Sequence, residues 1–105
     1  MSFKVIWSEF AESQLDEIYK YYEINASTEV ARKIIIELLA APNKLIKTPL
    51  IGQKEELLKH RKVEYRNLIF KNYKLIYSVD NEKSCIQIAD VFDTRQNPIK
   101  LKRKK

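Results

Sequence analysis

The apolar period of this chain changes once, and that change restricts the folds open to it. Between residues 9 and 41 apolar side chains recur every three or four positions; from about residue 63 to 92 they alternate. The first spacing lines one face of a helix, and the second lines one face of a strand. Ala11, Leu15, Ile18 and Tyr22 follow one another at intervals of four, three and four, with Phe10 and Tyr19 widening the stripe. Ser8 can cap this segment, and Glu9 and Glu12 suit its positive end, so the pattern predicts a helix over 9–24. Asn25-Ala26-Ser27 interrupts the period. Ser27 can cap a second helix whose apolar side is Ala31, Ile34, Ile35, Leu38 and Leu39. Pro42 ends or kinks that helix near Ala41, with Leu45 and Ile46 available for a further turn. So short a connection makes the two helices an antiparallel hairpin.

Phe3, Val5 and Trp7 alternate with Lys4 and Ile6, which predicts a short first strand. Pro49 and Gly52 punctuate a loop running to about residue 62, and strands are expected over 63–70, 73–79 and 84–92. Lys71-Asn72 fits a tight hairpin turn, with Asn accepting the positive φ, and residues 80–83 form a second turn. In the middle strand Tyr73, Leu75, Tyr77 and Val79 share one face, and Lys74, Ile76 and Ser78 share the other. The expected fold class is α+β with element order β-α-α-β-β-β, a helical hairpin packed on a small, mainly antiparallel sheet. Residues 1–94 are read as one domain and residues 95–105 as a basic tail.

Several classes of chemistry find no residues to carry them. The chain has a single glycine and no G-x-G-x-x-G or P-loop pattern, so no nucleotide cofactor is expected. Cys85 is the only cysteine, which rules out an internal disulfide and favours a reducing cytoplasm; within Cys85-Ile86-Gln87-Ile88 it reads as a strand residue. His60 is the only histidine, too few for a zinc site. The start of the chain lacks a signal-peptide apolar region. No apolar run approaches the roughly 18 residues of a membrane span.

Charge is distributed unevenly. Residues 1–94 contain 14 basic and 14 acidic side chains. The whole net charge of +6 therefore lies in Arg95, Lys100, Lys102, Arg103, Lys104 and Lys105. Such a segment suits a polyanion or an acidic partner, or is simply a solvated terminus. A smaller basic cluster comprises Lys59, Arg61, Lys62, Arg66, Lys71 and Lys74, relieved by Glu64. Tyr19, Tyr21 and Tyr22 could stack on bases, but their place on an apolar helix stripe favours packing.

Three segments together resemble a known family. They are Ala11-x3-Leu15-x2-Ile18-x3-Tyr22 followed by Ala31; Pro49-x2-Gly52, Tyr65-Arg66 and Tyr73-Lys74-Leu75-Ile76-Tyr77-Ser78-Val79; and Ile88-x2-Val91-Phe92-Asp93-Thr94-Arg95-Gln96-Asn97-Pro98-x2-Leu101. In order and spacing the chain resembles the RelE/ParE superfamily of toxins from bacterial type II toxin–antitoxin pairs. The resemblance implies a growth-inhibiting toxin blocked by a cognate antitoxin, with no small-molecule cofactor. It implies one of two targets. ParE-like members poison DNA gyrase without enzyme activity of their own; RelE-like members cut messenger RNA on the ribosome.

Cleavage by 2′-oxygen attack needs a proton acceptor, a proton donor and cations around the phosphorane. Arg66, Lys74 and Arg95 match basic positions of the shared pattern, and Tyr77 or Glu64 could serve in proton transfer. The RelE-like branch also uses a C-terminal Tyr or similar group, and here no Tyr or His follows Asp93. The segment Asp93-Thr94-Arg95-Gln96-Asn97-Pro98 resembles the motif of the ParE-like branch. The sequence therefore favours gyrase as target, with Arg66, Lys74, Arg95, Asn97 and Lys100 as target-binding residues. A ribosome-dependent endonuclease and a non-catalytic binding module, or inactive homologue, are the alternatives. A purely structural reading also exists for the two arginines: Arg66 can pair with Glu64 or Asp90, and Arg95 with Asp93.

Overall fold

A computed structural model describes residues 3–95, and its architecture follows the change of period. The elements run β1 (Lys4–Trp7), α1 (Glu9–Asn25), α2 (Thr28–Ala40), β2 (Gln53–Lys54), β3 (Arg66–Phe70), β4 (Tyr73–Asp80) and β5 (Cys85–Asp93). Short 3₁₀ turns occupy Ala41–Leu45 and Glu56–Leu58. Both serine caps form: the Ala11 amide donates to the Ser8 hydroxyl at 3.0 Å, and the Val30 amide to that of Ser27 at 3.1 Å. Each satisfies a donor that a helix start leaves without a partner. Pro42 closes α2 by opening the first 3₁₀ turn.

The five strands form one sheet in the order β1-β5-β4-β3-β2. Strands β2 to β5 run antiparallel to one another along the sheet; β1 lies parallel to β5, with Val5 opposite Ile86 and Trp7 opposite Ile88. The α1–α2 hairpin covers one face. Leu15, Leu38 and Leu45 meet Tyr73, Leu75, Tyr77, Ile86, Ile88 and Val91 there, with Val5, Trp7, Ile18 and Tyr22 at the margin. Each fully buried aliphatic side chain of this set contributes about 1.5–3 kcal/mol. The opposite face carries a smaller cluster of Leu58, Ile76 and Phe92, flanked by Leu57 and Tyr65.

A bulge at Ala89 reconciles β5 with both faces. Tyr77 lies opposite Ile88, whereas the adjacent Ile76 lies opposite Asp90, so Ala89 is an extra residue in the ladder. Strict alternation would have sent Asp90 and Phe92 towards the helices together with Ile86 and Ile88. The extra residue instead brings Val91 into the main core and Phe92 into the second cluster. The Ser8 hydroxyl donates to the Ala89 carbonyl at 3.2 Å, so the cap of α1 is tied to the bulge.

Three local expectations are corrected. The strand expected from residue 63 begins at Arg66, because 59–65 crosses the second face as irregular chain. The loop before it contains the two-residue strand β2, which pairs Gln53 with Asn67 and Lys54 with Arg66. At the β3–β4 turn the positive φ falls on Lys71 (54°) rather than on Asn72. Asn72 is occupied elsewhere: its amide reaches Asp93 Oδ1 at 3.3 Å, and its carbonyl accepts from both the amide and the hydroxyl of Thr94.

The connection from α2 to β3 is held at its single glycine. The Gly52 amide donates to the Tyr77 hydroxyl at 3.0 Å, and that hydroxyl donates to the Pro49 carbonyl at 2.8 Å. A Cβ on residue 52 would stand 2.5 Å from the Asn67 carbonyl oxygen and 2.5 Å from the Tyr77 hydroxyl. One of those contacts is backbone, so a side chain cannot be admitted by a rotamer change alone. Gly52→Ala is therefore expected to lower the unfolding free energy by about 1–3 kcal/mol in urea titrations, as overpacked sites do.

Candidate functional site

The basic residues that the sequence singles out do not converge. Residues paired across an antiparallel ladder share a face, and Arg66 lies opposite Tyr77 while Ile69 lies opposite Lys74. Arg66 and Tyr77 therefore project on the helix side, and Lys74 on the other. Arg95 follows the far end of β5, beside Tyr73 and so four residues along β4 from Tyr77. At about 3.3 Å per strand residue this separates it from Arg66 by more than 10 Å. Asn97 and Lys100 lie outside the described residues.

Each of the three cations has a carboxylate. Arg66 Nη2 stands 3.0 Å from Glu64 Oε2, while its Nη1 donates to the Gly52 carbonyl at 2.8 Å and the Leu50 carbonyl at 3.3 Å. Of the two partners open to it in sequence, Arg66 takes Glu64. Lys74 Nζ stands 3.0 Å from Glu55 Oε1. Glu55 is buried; the same oxygen accepts from Asn67 Nδ2 at 3.0 Å, and Oε2 accepts from the Leu57 amide at 3.2 Å. Three partners on one buried carboxylate make it a structural hub for the 53–58 segment. Arg95 forms a fork on Asp93, with Nε at 3.0 Å from Oδ1 and Nη2 at 2.8 Å from Oδ2. Glu55 and Asn67 were not anticipated from sequence, since nothing local distinguishes Glu55 from its neighbour Glu56.

The Asp93–Arg95 fork borders a cavity of about 420 Å³ between α1 and the end of β5. Ile18 and Val91 give it an apolar floor, and Gln14, Glu17, Tyr21 and Tyr73 complete the wall. The Tyr73 hydroxyl bonds to that of Tyr22 at 3.3 Å, and the Tyr22 ring meets Tyr21 edge-on at 5.1 Å. Tyr22 and Tyr73 thus pack, as the helix stripe implies, while Tyr21 is 54% exposed at the cavity mouth. The Arg95 fork holds the Asp93 carboxyl below its usual range. Burial, then the bond to Tyr22, pushes the Tyr73 phenol up, and burial does the same for Tyr77 against the opposing Gly52 amide. Neither phenol is tuned to lose a proton near neutrality. Among the described residues no group of three or more His, Cys, Asp and Glu is placed to hold a metal ion, and no helix is long and apolar enough to cross a membrane. Cys85 is buried in β5, with its thiol on the Lys83 carbonyl at 3.3 Å.

Two consequences can be measured. Arg66→Ala removes the clamp on the Gly52 and Leu50 carbonyls, so it should cost about 1–3 kcal/mol of stability in urea titrations, whatever it does to function. For Tyr73 the raised folded-state pKa means that the unfolded chain ionises first. Its stabilising contribution is complete below about pH 10 and is lost as the pH rises beyond that. Thermal unfolding midpoints should therefore fall between about pH 9 and about pH 11, and less steeply in Tyr73→Phe.

The arrangement has known counterparts. The model of the family described as the ParE toxin of type II toxin–antitoxin system, parDE, matches residues 5–98. The toxin fold also recurs in solved structures. A chain of the chromosomal ParDE toxin–antitoxin system from P. aeruginosa superposes with a TM-score of 0.71 at 19% identity, over 87% of this chain and 95% of that one. A chain of the RelBE2 toxin–antitoxin complex from Mycobacterium tuberculosis gives 0.65 at 17% identity, over 89% and 99%. At such identities the likeness is one of fold, two helices on a mixed five-stranded sheet. No curated protein is detectably similar in sequence. The family match spans nearly all of the chain and agrees with the motifs in its helices, its Pro49–Gly52 loop and its last strand: the chain belongs to the ParE toxin family of type II toxin–antitoxin systems.

Proposed function

We propose that the chain inhibits growth by binding DNA gyrase and is held inactive by a cognate antitoxin. Family membership supports the antitoxin, as does the fact that both solved relatives come from toxin–antitoxin systems. The observation that carries the choice of gyrase is the dispersal of Arg66, Lys74 and Arg95. A phosphorane needs several cations aimed at one point in a site that excludes water. Here one cation lies on the helix face, one on the opposite face and one beyond β5, each bound to its own carboxylate. Tyr77, which lies opposite Arg66 in the ladder, is buried and already bonded to Pro49 and Gly52, which leaves it poorly suited as a general base. A surface that grips a protein target has no such requirement for convergence. On this reading residues 1–94 form the toxin body, and the basic segment from Arg95 onward, with Asn97 and Lys100, contributes to target contact.

The purified chain, freed of antitoxin, should inhibit supercoiling of relaxed plasmid by gyrase in a dose-dependent way, and added antitoxin should restore it. Unaffected supercoiling at high molar excess would remove gyrase as the target. Cuts at ribosomal A sites in translated messages after induction would instead favour the endonuclease.

A further inference from the structure

The 54–65 segment has a feature that the proposed activity does not use. It encloses a cavity of about 340 Å³ lined by Lys54, Lys59, Arg61 and Lys62 together with Glu55, Glu64 and Tyr65. Four cations face two carboxylates, and both carboxylates are shared with cations outside the rim, Glu55 with Lys74 and Glu64 with Arg66. Glu55 is turned inward onto Lys74, Asn67 and the Leu57 amide. Glu64 is engaged by Arg66 at 3.0 Å and by Lys54 at 3.5 Å. Lys59 has only a loose, exposed pair with Glu56 at 3.8 Å. Lys62 is exposed and is paired with no other described residue.

The cations are also held in place. Leu58 is buried against Ile76 and Phe92. The Glu55 amide bonds to the Tyr65 carbonyl at 2.8 Å, and the Arg61 amide to the Leu58 carbonyl at 3.0 Å. A hydrophobic plug and backbone bonds at both ends thus present Lys59, Arg61 and Lys62 from a preformed loop. Such an array loses little entropy when it meets a row of anions.

We propose that this loop is a binding surface for the phosphate backbone of duplex DNA. The lining favours a duplex over a single strand. Single-strand binders need exposed aromatic rings on which bases stack, and the one aromatic here, Tyr65, is partly buried against the Leu58 cluster. No helix or β-ribbon projects from the loop to read a groove, so the contact is independent of base sequence. The choice of DNA rests on gyrase being the target: gyrase holds a duplex, and the loop would grip that duplex while other surfaces grip the enzyme.

The test uses the full chain and a duplex of about 20 base pairs in fluorescence anisotropy across a salt series. Lys59→Gln with Lys62→Gln should weaken binding about tenfold near 100 mM salt and make the log–log salt slope shallower by about two. A control that removes the same charge from the helices, Lys20→Gln with Lys33→Gln, should change the slope by less than half as much. Unchanged affinity and slope in the loop variant would overturn the proposal. So would an equal loss in the control, or a loss confined to duplex RNA of the same sequence. Anisotropy needs no gyrase, so its outcome separates from that of the supercoiling assay. If the loop variant binds DNA normally, the loop proposal fails whether or not gyrase is inhibited.

Discussion

Tyr77 is fully buried, and its hydroxyl must still find partners there. It finds them in the Pro49 carbonyl and the Gly52 amide, and much of the remaining structure depends on that solution. The ring belongs to the core beneath the helices; the hydroxyl fixes the one long connection in the chain. Because the connection approaches so closely, residue 52 must lack a Cβ, and the Gly52 carbonyl is then presented to Arg66. One buried phenol thereby links core packing, loop position and the orientation of a basic side chain.

The second face of the sheet uses a different device. It has too little apolar cover for a second layer, only Leu58, Ile76 and Phe92 with Leu57 and Tyr65 beside them. A buried carboxylate supplies what the small cluster lacks, since Glu55 collects Lys74, Asn67 and a backbone amide. A buried charge persists only when it is paired and its lone pairs are satisfied, and this one is. The cost in function is that Lys74 is committed to structure. The same holds for Arg66 with Glu64 and Arg95 with Asp93. Pairwise neutralisation of this kind suits a scaffold for protein contact better than a site that must gather positive charge at one reacting atom.

With those cations committed, the charge left for a partner lies elsewhere. The 59–62 stretch presents two exposed lysines, of which Lys59 has only a long pair with Glu56, and the basic residues beyond Arg95 carry five of the six excess charges of the chain. Both are suited to anionic partners through electrostatics that act at range and depend on salt.

The sequence alone determined the element types, the α+β class, both serine caps, the helical hairpin and the two faces of β4. All follow from periodicities and end signals contained within about ten residues. Its motifs also identified the family. Other features were beyond its reach. Nothing local says that β1 pairs with β5, some 80 residues away and in parallel, rather than with the other edge of the meander. The Ala89 bulge is invisible to a strict count of alternation, though it decides that Val91 and not Phe92 joins the main core. Arg66, Lys74 and Arg95 read as one constellation in sequence, and only strand register places them on two faces and beyond a strand end. Glu55 resembles any solvated acid until the sheet is built over it. Sequence-local energies choose helix or strand, but pairing register and burial arise from contacts between distant segments, and those decide which charges meet.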